Sequence, residues 1–136
     1  PRHMAEAIAA GIRAADPEVT VKLFNASKSD KTDIIAEIFR SKALVLGSPT
    51  VNNGYLYAIA GQLELIKGAK FKKKKAAAFG SYGWSGEAVP NLTARMQQLR
   101  LSLPLEGMRV RFCPTQEDLA AAVQFGRDFA KAVRGE

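Results

Sequence analysis

"ALVLGSPTVNNG", residues 43–54, decides the fold. Ala43 to Gly47 run without a polar residue, as a strand covered on both faces does. Pro49, the two asparagines Asn52 and Asn53, and Gly54 then supply turn chemistry, with Gly54 freeing the chain to enter "YLYAIAGQLELIK" (55–67). That stretch reads as a helix closed by Gly68. A buried strand, a polar turn and a helix make half of a βαβ unit.

Working outward, the same alternation recurs. Met4, Ile8 and Ile12 form a helical stripe that stops at Asp16-Pro17. "VTVKLF" (19–24) reads as a strand, and the polar stretch Ser27 to Asp33 caps a helix over "IIAEIF" (34–39). "KAAAFG" (75–80) is a further strand. Val89, Leu92, Met96 and Leu99 mark the next helix, "RVRFC" (109–113) the last strand, and 116–133 a closing helix. The order is α-β-α-β-α-β-α-β-α, which specifies a parallel sheet with helices on both faces and right-handed crossovers. At 136 residues this is one domain, 1–136.

Composition sets bounds. The chain is 47% hydrophobic and 24% charged, and no apolar run approaches the roughly 20 residues a transmembrane helix needs. The lone Cys113 cannot form an intrachain disulfide and is expected to be a small buried strand residue in a reducing, cytoplasmic setting. His3 is expected at the helix start. The net charge of +7 favours anionic ligands or acidic partners. Its densest run, "KFKKKK" (70–75), is expected to be a solvated turn, because no nucleic-acid-binding signature accompanies it.

In such sheets ligands sit outside the carboxyl ends of the strands. Two unusual loops fall there: 48–54, and "SYGWSG" (81–86) after the 75–80 strand. Ser48 and Thr50 offer hydroxyls. Gly83 and Gly86 permit close backbone approach, while Tyr82 and Trp84 offer flat apolar surfaces. A flat heteroaromatic ligand suits such a slot.

"GSPTVNNG" and "AAAFGSYGWSGEAV" resemble the flavodoxin-like domain of the flavodiiron proteins, the A-type flavoproteins that include rubredoxin:oxygen oxidoreductase. The similarity extends from Met4 to "PTQEDLAAAVQFGRDFA". It implies FMN, with Ser48, Pro49, Thr50, Asn52, Asn53 and Gly54 on one side of the flavin and Ser81, Tyr82, Gly83, Trp84 and Gly86 at the ring edge. It implies electron transfer from a rubredoxin- or NAD(P)H-linked donor to a di-iron centre in a metallo-β-lactamase-like partner domain, oxygen or nitric oxide being reduced there. This chain has no residue set for that centre, and no catalytic residue or metal ligand of its own is expected. The family's first strand and its phosphate-binding Ser/Thr loop have no counterpart here, so the domain reads as N-terminally truncated. Pro1-Arg2-His3 ahead of Met4 reads equally as a native lead-in or a cloning remnant.

Two other classes stay open: a degenerate flavodoxin-like module without flavin, which would be colourless, and a stand-alone flavin-dependent NAD(P)H or quinone reductase, which would oxidise NAD(P)H in steady state. The absent strand would lie between 19–24 and 43–47; either 19–24 moves in to pair directly with 43–47 or two chains cover each other's bare edges, and self-association is the favoured expectation.

Overall fold

A computed structural model of the chain describes residues 2–51, 54–83, 86–111 and 114–135. The elements are α1 (Arg2–Ala15), α2 (Lys31–Arg40), β1 (Ala43–Pro49), α3 (Tyr57–Ala69), β2 (Lys75–Tyr82), α4 (Ala88–Gln98), β3 (Met108–Arg111) and α5 (Gln116–Arg134). The strands form one parallel sheet in the order β1-β2-β3. The register pairs Ala43 with Lys75, Pro49 with Ser81 and Tyr82 with Arg111, so the three carboxyl ends sit side by side.

β2 is the central strand, and Ala76 to Gly80 are all buried. Its alanines keep both faces shallow, which lets helices approach closely. On one face α2, α3 and α4 bury Ile34, Ile38, Leu63, Ile66, Leu92 and Met96 against Leu44, Leu46, Ala76 and Ala78. On the other, Met4 and Ile8 of α1 and Ala122 of α5 pack with Phe79 and Val110. The sheet is therefore covered on both sides, as its apolar strands require. Two glycines set the contact between α1 and α5. A Cβ on Gly11 would stand 1.9 Å from the Val123 carbonyl oxygen, and one on Gly126 would stand 2.1 Å from that of Ile8.

The helix ends follow capping chemistry. Asp30 accepts from the Thr32 N–H at 2.7 Å and opens α2. Thr115 and Asp118 exchange hydrogen bonds in a capping box that opens α5. Where the sequence predicts Gly68 as the stop of α3, the helix instead runs on to Ala69 and the left-handed cap is Lys70, at φ 54°. Lys74 joins α2 to the sheet: its ammonium donates to the carbonyls of Ile38 and Ser41 and lies 4.5 Å over the Phe71 ring. Burial pushes its pKa down.

One expected strand does not form. Residues 19–24 have no ladder among the described residues, and the sheet has three strands where the sequence predicts four. Alternating Val, Leu and Phe show a preference for a half-buried extended chain, but a strand exists only where a neighbour takes its hydrogen bonds. None of the described residues pairs with 19–24, and Val19, Leu23 and Phe24 are left exposed. The segment is held by its flanks instead. The Arg13 guanidinium donates to the Val21 carbonyl at 3.2 Å, and Lys22 pairs with Glu37 at 3.0 Å. The Lys22 hydrogen bond holds the Glu37 carboxyl below the usual carboxylate range.

Candidate functional site

Both unusual loops leave the carboxyl ends of neighbouring strands, 50–56 after β1 and 83–87 after β2. What joins them is Thr50. Its N–H donates to the Ser81 carbonyl at 2.9 Å, carrying the β1–β2 ladder one step into the loop. Its hydroxyl accepts from the Ala88 N–H at 3.3 Å, which caps the first turn of α4, a helix whose own N-cap Glu87 gives no side-chain bond. One residue thus fixes the first loop to the strand and the helix that bracket the second.

The first loop is stapled at its base. Ser48 is fully buried; its hydroxyl accepts from the Leu56 N–H at 3.0 Å and donates to the Pro49 carbonyl at 2.7 Å. Farther out, Val51 and Gly54 exchange two backbone hydrogen bonds, 2.8 and 2.9 Å long. Asn52 and Asn53, between them, lie outside the described residues, as does Trp84 in the second loop. Pro49, Thr50 and Gly54 are half-buried at the rim, together with Ser81, Tyr82 and Gly86, while Gly83 is exposed.

The second loop leaves room at its tip. A Cβ on Gly83 would meet nothing within 4 Å. Gly86 is different: a Cβ there would stand 3.2 Å from the Arg109 guanidinium and 3.4 Å from the Tyr82 ring, so glycine lets both side chains close on it. Arg109 of β3 donates to the Gly86 carbonyl at 3.4 Å. Arg109 and Glu87 were not legible as site residues. Glu87 keeps one carboxylate oxygen buried without a hydrogen-bond partner, beside the loop. A lone arginine in a strand and a lone glutamate before a helix carry no pattern of their own.

The donor set suits a flat, uncharged ring rather than an anion. Tyr82 and the glycine backbone make a flat rim open toward Gly83. The two hydroxyls that could have reached an anion, those of Ser48 and Thr50, already hold protein N–H groups. Two shallow hollows flank the loops. One of about 450 Å³ lies between Gly54, Tyr55 and α4 residues Asn91 and Arg95. The other, of about 610 Å³, lies between the starts of α2 and α3 and is lined by Ser27, Ser29, Asp30, Lys31 and Tyr57. No group of three or more His, Cys, Asp and Glu among the described residues could hold a metal ion, and none of the described helices is long and apolar enough to cross a membrane.

Residues 2–126 match the flavodoxin family model. The chain belongs to the flavodoxin family. It is 44% identical over 130 residues to an anaerobic nitric oxide reductase flavorubredoxin of Klebsiella pneumoniae, covering 96% of this chain and 27% of that protein. A flavorubredoxin of Vibrio vulnificus is 45% identical over the same length, at 26% of its own. The chain therefore spans about a quarter of the length of these relatives. Among solved structures, the rubredoxin oxygen:oxidoreductase of Desulfovibrio gigas superposes with a TM-score of 0.91 at 33% identity, over 97% of this chain and 32% of that one. A flavodoxin from the domain Archaea superposes with a TM-score of 0.85 at 28% identity, over 98% of this chain and 90% of that one. The resemblance carried by the two loops thus extends over nearly the whole of this chain, and it points to flavodiiron cores and flavorubredoxins.

Proposed function

We propose that this flavodoxin-family chain is an FMN-binding electron-transfer domain whose ring site is the paired loops 48–54 and 81–86. The observation that carries the reading is the Thr50 tie, which brings both loops to one end of the sheet. In this reading Tyr82, Trp84 and the backbone of Gly83 and Gly86 are assigned to the ring edge, and Pro49, Asn52, Asn53 and Gly54 to the other side of the flavin. Ser48, Thr50 and Ser81 act by fixing loop shape. FMN supplies one- and two-electron chemistry, and the protein's part is to position the ring and exclude water from it. By analogy with the flavorubredoxins and the rubredoxin oxygen:oxidoreductase, electrons come from a rubredoxin- or NAD(P)H-linked donor and go to a di-iron partner domain, in the cytoplasm. The chain alone carries no reductase activity in this reading.

Trp84→Ala tests the site. The expected loss of FMN affinity is about 1–2 kcal/mol, from buried ring area and aromatic pairing. Titration by quenching of flavin fluorescence reads it directly. Equal affinity in the variant and the parent removes Trp84 from the site.

Self-association is a second element of the proposal. β1 is a strand half or more buried along its length, yet it lies at the edge of the sheet with its outer hydrogen-bonding groups unpaired among the described residues. Such an edge invites a second copy. Light scattering at tens of micromolar should give a mass above 14.7 kDa; a stable monomer contradicts it.

A further inference from the structure

The lysine-rich stretch before β2 has no part in the ring site. It lies at the opposite end of the sheet, about 25 Å away along a strand of eight residues. There the structure gathers six exposed cations, Lys42, Lys67, Lys70, Lys72, Lys73 and Arg100. The Lys73 N–H donates to the Arg100 carbonyl at 3.0 Å, so the 70–75 turn and the 99–102 segment are held together.

Carboxylates are scarce around them. From Glu37 to Glu106 the chain has four carboxylates, Glu37, Glu64, Glu87 and Glu106, the last in the segment that leads into β3 at this same end. Glu37 is taken by Lys22 and Arg40, Glu64 faces Arg95, and Glu87 stands at the other end of the sheet. No ion pair among the described residues involves any of the six cations.

The backbone adds an independent sign. Three described residues other than glycine have positive φ: Lys70 at 54°, Lys73 at 58° and Arg100 at 66°. All three belong to this patch. Glycine adopts that conformation without penalty and is the usual choice there. A long cation at each of three such positions places charge where folding alone would favour its absence. Capping of helix α3 accounts for Lys67 and Lys70, but not for Lys72, Lys73, Lys42 and Arg100.

We propose that this end of the molecule is a docking face for an acidic protein surface, separate from the flavin end. Phe39 stands beside it, 58% exposed and 5.0 Å from the Phe71 ring, and gives the face an apolar anchor among charges, as protein interfaces have. Nucleic acid fits less well. Phe71 is covered by Lys74 and Phe39, which leaves no pair of open aromatic faces for stacking bases. A face remote from the ring lets a partner stay bound while the flavin end exchanges electrons.

The test uses the 136-residue chain and a fluorescein-labelled decapeptide of alternating Asp and Glu, read by anisotropy at about 150 mM salt, where undirected attraction is screened. Lys70→Gly, Lys73→Gly and Arg100→Gly together should weaken binding at least tenfold while the Tm holds or rises, because glycine suits those φ values. Lys42→Gln with Lys67→Gln and Lys72→Gln, at positions without that backbone, should weaken it similarly and guards against a folding defect in the first variant. Removing three cations elsewhere, by Arg2→Gln, Lys28→Gln and Arg127→Gln, should change it less than twofold. Equal loss in that control overturns the proposal, as does the lack of saturable binding by the parent chain. Tighter binding of a single-stranded DNA decamer, or of phosphatidylserine vesicles, through the same six residues overturns the assignment to a protein partner.

Discussion

Gly126→Leu is expected to lower stability by about 3 kcal/mol or more, the upper end of what overpacking does. The first atom of the new side chain would stand 2.1 Å from the Ile8 carbonyl oxygen, and backbone cannot rotate away as a flexible side chain can. α1 would have to lift from α5, loosening Met4 and Ile8 from Phe79 and Ala122 on that face of the sheet. Gly68→Ala is the matched control. It too lies in a helix, but a Cβ there meets nothing within 4 Å, so it should stabilise by about 0.5–1 kcal/mol through helix propensity alone. Urea midpoints of the two variants should move in opposite directions. An unchanged midpoint for Gly126→Leu would show that α1 and α5 do not pack as described.

The second large effect is on the other face. Leu92 of α4 is fully buried, within the cluster that includes Leu63, Ile66 and Met96. Leu92→Ala should cost about 2–5 kcal/mol, the lost transfer of the side chain plus the cavity it leaves. Because α4 begins at the Ala88 N–H that Thr50 caps, the same variant should also loosen the second loop. Hydrogen exchange at 81–88 should accelerate in step with the fall in the urea midpoint. A loss below about 1 kcal/mol would mean that the site relaxes freely and that α4 is not anchored by Leu92.

Much of this was legible in the chain. The continuous apolar run at 43–47 and the stretch 75–80 read as strands of a parallel sheet, and both are. The helical stripe of Met4, Ile8 and Ile12 marked the buried face of α1, although Ile12 is only partly covered. The two loops at the strand ends were visible because glycine, proline and asparagine are concentrated there. Residues 19–24 misled, since alternation records a preference for burial and not whether a neighbouring strand is at hand. Gly68 misled for a related reason: a left-handed cap needs a positive φ, and Lys70 supplies it two residues later. The hydroxyls of Ser48 and Thr50 looked free for a ligand. Their partners, Leu56 and Ala88, are eight and 38 residues away, and only the folded chain shows them. Cys113, like Asn52, Asn53 and Trp84, lies outside the described residues.

The most direct test of the central claim is to map the amide chemical shifts of the isotope-labelled chain as FMN is added. Shifts concentrated in 48–56 and 80–88, with 67–75 unmoved, are what a ring site at the carboxyl ends of β1 and β2 predicts. Saturation with no shift in either loop, or shifts centred on the lysine-rich end, would contradict it.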